Sequence, residues 1–108
     1  MDFDLWEKVL WYTNNIKYYV PQKALLSDKI LFKKVSEKFI VNKFLETWLN
    51  YDHKDPSDIL YDMILKYSIW RCNALNNNND KLFNIYESYV KTLTGLKNFI
   101  EKEKNNGL

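Results

Sequence analysis

The chain has 108 residues and a formal net charge of +2, with 16 Lys and Arg residues against 14 Asp and Glu residues. This length allows a single domain, and the near balance of charge argues against nucleic acid or an anionic membrane as the obvious partner. Hydrophobic residues make up 46% of the chain, enough for a packed core, whereas two glycines and two prolines are too few for a turn-rich β fold.

The number of cysteines and the lengths of the apolar runs indicate the cellular compartment of the protein. The single cysteine, Cys72, excludes an internal disulfide and suits a reducing environment. The first ten residues are acidic rather than basic, unlike a secretory signal. No apolar run approaches the roughly 18 residues of a membrane-spanning helix. We therefore expect a cytoplasmic protein.

Three breaks divide the chain into four segments with helical periodicity. Pro21 disfavours helix at Val20, and residues 50–56 and 76–80 are polar runs of turn-forming residues. Four amphipathic helices with short connections favour antiparallel neighbours. The sequence thus predicts an all-α protein, a compact four-helix bundle, in which residues 1–104 form one domain and residues 105–108 a flexible tail.

The first predicted helix covers residues 2–19, and Asp2 or Asp4 can cap its start. Its expected core side carries Phe3, Trp6, Val9, Leu10, Thr13, Ile16 and Val20. Trp11, Asn14 and Tyr18 project to the opposite side. Large aromatic side chains among polar neighbours are typical anchors of protein contacts, so these three residues form a first candidate binding patch. The alternative is that another helix or the following loop covers them.

The second predicted helix covers residues 28–49, with Ser27 as its N-cap. Its apolar residues change side along its length. The first half carries one set and the second half a set that lies nearly opposite, namely Leu31, Phe32, Val35 and Phe39, then Val41, Phe44, Leu45 and Trp48. Either this helix is kinked or broken near Ile40, or its two halves pack against different neighbours.

Lysines crowd the same segment and define an alternative, nucleic-acid-binding site made of Lys29, Lys33, Lys34, Lys38 and Lys43. Lysine neutralises phosphate charge without reading base sequence. These lysines are spread around the helix, two glutamates lie between them, and the chain has one arginine, the residue that makes most specific guanine contacts. A solvated helix surface is therefore the favoured interpretation.

The third predicted helix has the strongest start signal, because Asp55 occupies the N-cap position directly before Pro56. It is apolar on two sides: the expected core side has Ile59, Leu60, Met63, Tyr67, Trp70 and Ala74, and the opposite side has Tyr61, Leu65, Ser68, Ile69 and Cys72. A helix that is apolar nearly all round is either central or docks another protein. Tyr61, Leu65 and Ile69 therefore form a second candidate binding patch.

The fourth predicted helix begins after Asp80, which suits the N-cap position, and stops at the Asn-Asn-Gly of residues 105–107. Its expected core side is the most regular of the four and consists of Leu82, Phe83, Tyr86, Tyr89, Val90, Leu93, Leu96 and Ile100.

The chain offers few residues for catalysis or metal binding. His53 is the only histidine, and the nearby Asp52, Asp55 and Asp58 are more typical of a helix start than of a metal site. No glycine-rich phosphate loop or nucleophile elbow occurs, and Cys72 is placed as a packing residue. We therefore predict no enzyme activity, no cofactor and no metal.

These observations favour a non-enzymatic protein-binding module, an inhibitor or adaptor of the kind that a phage or other mobile element encodes. It would dock its exposed aromatic and apolar helix faces on a partner protein. The alternatives are a nucleic-acid-associated protein that uses the lysines of the second helix, and a structural homodimer formed through the third helix. Membrane binding is not predicted.

Overall fold

The computed structural model describes residues 2–15, 27–51 and 53–106, with residues 27–36 and 106 described by their backbone alone. Within these ranges the regular structure consists of four α-helices and no strand: α1 (Phe3–Asn15), α2 (Ser27–Asn50), α3 (Pro56–Asn76) and α4 (Asp80–Asn106). The predicted all-α fold is confirmed. None of the helices in these ranges is long and apolar enough to cross a membrane.

The helix starts follow local capping chemistry. Asp2 Oδ1 accepts a hydrogen bond from the Leu5 N–H at 3.1 Å, and Asp55 Oδ1 accepts one from the Ser57 N–H at 2.8 Å. Both caps agree with the sequence. The predicted cap of α4 is wrong, because Asp80 is the first helical residue and Asn79 in front of it accepts from the Leu82 N–H at 3.2 Å.

The turn between α3 and α4 is a Schellman motif. The Asn79 N–H donates to the Ala74 carbonyl at 2.9 Å, and the Asn78 N–H donates to the Leu75 carbonyl at 3.1 Å. Asn78 has φ 55°, a left-handed conformation that asparagine tolerates better than most residues. The asparagine run therefore reverses the chain within three residues, 77–79.

Ion pairs and ring contacts show how the helices run. Lys8 of α1 pairs with Glu103 of α4 at 3.4 Å, and the Tyr12 ring, one turn later, stacks on Phe99, one turn earlier. Hence α1 and α4 are antiparallel. The α3–α4 turn makes these two helices antiparallel as well, and they share the most extensive contact between any two helices described.

All four helices contribute to one hydrophobic core. Its buried members are Leu5, Val9, Ile40, Val41, Phe44, Trp48, Ile59, Leu60, Tyr67, Leu93, Leu96 and Ile100. Four residues that the sequence assigns to the core sides are exposed instead: Phe3 at 73%, Phe39 at 54%, Trp70 at 40% and Leu82 at 37%. Leu5 and Ile40, which the apolar pattern does not assign to the core, are buried, and so is Glu37, which the sequence places on the solvated surface of the second helix.

The structure also gives the continuity of α2 and the end of α4. α2 is one continuous helix through the fully buried Ile40, so it is not broken there. Its second half faces the core with Val41, Phe44 and Trp48. α4 remains helical through Asn106, past the predicted domain boundary at residue 104.

Candidate functional site

The outer side of α3 carries a line of exposed apolar side chains together with the small, partly buried Ser68, and we call this line the α3 face. Its members recur every three or four residues and so share one side of the helix: Tyr61, Leu65, Ser68, Ile69, Cys72 and Leu75. With a rise of 1.5 Å per residue, the face is about 21 Å long.

The large side chains of the α3 face are half or more open to solvent. Tyr61 is 58% exposed, Leu65 50%, Ile69 53% and Leu75 57%. Cys72 is exposed as well. Scattered single apolar residues are normal on protein surfaces, whereas several in one line are typical of a binding surface.

The α3 face is exposed because the other side of α3 already packs on the bundle. Ile59, Leu60, Tyr67 and Ala74 are buried there. Around Tyr67, the rings of Trp70, Tyr86 and Tyr89 have centroids 5.2–6.2 Å away. Burial raises the pKa values of the Tyr67 and Tyr89 hydroxyls above that of a free tyrosine, and the neighbouring tyrosines raise both further. Burial of this side leaves the second apolar side of the helix to solvent.

Charged residues border the α3 face but do not interrupt it. Asp58 is exposed near its start, and Asp62 pairs with Lys54 at 3.6 Å. Towards its end, Arg71 pairs with Glu87 of α4 at 3.9 Å. Lys66 lies over the Trp70 ring, 4.7 Å from its centroid. The two acidic residues of α3, Asp58 and Asp62, thus precede its two basic residues, Lys66 and Arg71.

Lysine is nearly absent from this helix. The chain contains 15 lysines, yet Lys66 is the only one in α3 and none lies in the α3 face. Lysine is depleted and large apolar residues are enriched at the centre of protein–protein interfaces. The composition of the α3 face therefore matches an interface better than it matches an ordinary surface of this lysine-rich chain.

Two of the three residues of the first candidate patch can be placed, both on α1. Trp11 is 65% exposed, and its carbonyl accepts a hydrogen bond from the Asn15 amide at 2.7 Å. Asn14 is exposed beside it, and Tyr18 lies outside the described residues. Because α1 shares no extensive contact with α3, this patch and the α3 face are separate surfaces.

The predicted nucleic-acid site is described only in part. Lys38 and Lys43 are exposed. Five residues apart on a helix, they project about 140° from each other and do not form one stripe. The side chains of Lys29, Lys33 and Lys34 lie outside the described residues.

Candidate metal and catalytic groups are dispersed over the part of the chain that the structure describes. No group of three or more His, Cys, Asp or Glu residues there could hold a metal ion. His53 is exposed next to the Tyr51 ring, and Asp55 serves as the cap of α3. Asp52 lies outside the described residues.

A shallow cleft of about 180 Å³ lies beside the α3–α4 turn. Trp70 and Tyr86 form its apolar walls, and Asn73 and Asn77 supply amide groups. It is smaller than the roughly 300 Å³ at which small-molecule sites begin. Its dimensions suit a single side chain or a few water molecules.

Leu75 is the member of the α3 face that the sequence interpretation missed. It lies fourteen residues after Tyr61, so the two side chains differ by only about 40° around the helix axis. The spacing 61, 65, 68, 72, 75 alternates between four and three, which is the signal that could have identified Leu75.

Comparison with known proteins gives no family model that matches the chain, and no curated protein or solved structure that resembles it. The function is therefore inferred from the surface of the chain itself.

Proposed function

We propose that this chain is a non-enzymatic protein-binding module that docks a protein through the α3 face. The observation that carries the proposal is the line of four large apolar side chains, each at least 50% exposed, on a helix with no lysine in that line. Covering such a surface removes apolar area from water at roughly 25 cal/mol per Å². An inhibitor or an adaptor acts by this kind of docking.

Trp11 supports a second, smaller contact in the same function. An exposed tryptophan supplies a large rigid contact area and is among the residues that most often dominate binding energy. We propose that docking takes place in the cytoplasm, where the exposed Cys72 stays reduced.

Capture of bound proteins from the native host by the purified chain tests this function. The informative variant is Ile69→Lys, which places a charge in the α3 face, and the matched control is Leu49→Lys, which places one at a similarly exposed leucine of α2. We expect Ile69→Lys to lose a captured protein by at least tenfold, because the lysine would be desolvated in the complex. The control should retain it.

The proposal fails if Ile69→Lys and Leu49→Lys capture the same proteins as the unmodified chain in the same amounts, and the chain also makes no contact with its own copies through α3. Circular dichroism of both variants checks that the helices are intact. Salt-dependent binding to DNA or RNA that is lost on changing Lys38 and Lys43 would instead support the nucleic-acid alternative.

A further inference from the structure

We draw no further inference here: the strongest candidate, the shallow cleft that Trp70 and Tyr86 line beside the α3–α4 turn, is an open apolar groove, and nothing in the structure shows what occupies it.

Discussion

Asp55 connects the start of one helix to the end of another. Its carboxylate accepts the Ser57 N–H at the start of α3 and accepts from the Lys104 Nζ near the end of α4. Partial burial acts to raise the pKa of Asp55, but the hydrogen bonds from Lys104 and Ser57 outweigh it and hold the pKa below its usual value. One side chain thus caps α3 and ties it to α4.

Replacing Asp55 should separate these two roles. Asp55→Ala removes the cap and the ion pair, and we expect it to lower the free energy of unfolding by about 1 kcal/mol. Asp55→Asn keeps an oxygen that can cap α3 and should cost less, because an exposed ion pair contributes little. Urea denaturation of the three proteins at neutral pH measures both effects, and equal losses for the two variants would contradict the capping role.

The same residue predicts how stability depends on pH. Because the folded pKa of Asp55 lies below the unfolded value of about 3.9, the unfolded chain binds more protons in the interval between them. The stabilisation is present above the unfolded value and is lost as the pH falls through the folded one. In Asp55→Asn this part of the acid dependence should be missing.

The sequence predicts the start of a helix correctly where only one residue is suited to the N-cap position. Asp55 directly before Pro56 identified the start of α3 because proline fits only the first turn and aspartate satisfies a free N–H. At the start of α4 two capping residues stand side by side. The choice between Asn79 and Asp80 depends on backbone geometry that composition does not contain.

At the scale of the helices, α4 contains a glycine in its interior. A Cβ built on Gly95 would lie 3.5 Å from the Tyr12 Oη, an ordinary van der Waals distance. Glycine lowers helix stability relative to alanine because it loses more backbone entropy on folding. Nothing in the contact between α1 and α4 at this point requires the missing side chain.

Gly95→Ala should therefore raise the free energy of unfolding by about 0.5–1 kcal/mol. Thermal denaturation followed by circular dichroism measures the change. Gly95→Val is the comparison, because a β-branched side chain is less favourable in a helix and its added methyl groups crowd the Tyr12 hydroxyl, which should cancel the gain. A destabilised Gly95→Ala protein would mean that α1 sits closer to α4 than the structure places it.

The sequence predicted the existence of the helices better than their orientation. In α1, apolar residues occur on both sides of the helix, and contacts with other helices decide which side is buried. Trp6 packs edge-on against Trp48 of α2, with ring centroids 5.1 Å apart, and Tyr12 stacks on Phe99 of α4 at 4.3 Å. Periodicity within one helix carries no information about those partners. This is why Phe3 was assigned to the core although it is exposed.

For the whole molecule, the second half of α2 supplies the centre of the core. Phe44 and Trp48 are fully or nearly fully buried, whereas Phe39, one to two turns earlier, is largely exposed beside Tyr89. Among the described apolar residues of α2, Phe44 and Trp48 thus face the core, whereas Phe39 does not. In α3, likewise, α4 covers one of the two apolar sides and leaves the other exposed. The sequence of α3 alone does not indicate which side is covered.

Phe44→Ala and Phe39→Ala compare a buried with an exposed phenylalanine of α2. Phe44→Ala leaves a cavity in the core and should cost about 3–5 kcal/mol of unfolding free energy. This is a large part of the roughly 5–15 kcal/mol that holds a small domain folded. Phe39→Ala should cost less than about 1 kcal/mol. Urea denaturation measures both, and similar losses would show that Phe39 is as buried as Phe44.

Cys72 gives the molecule a built-in point of attachment. It is the single thiol of the chain, and it lies in the second half of the α3 face, one turn before Leu75. Any molecule that covers this face also shields the sulfur from reagents in solution. A maleimide dye therefore reacts at one known position, and the speed of that reaction reports whether the face is occupied without any change to the natural sequence.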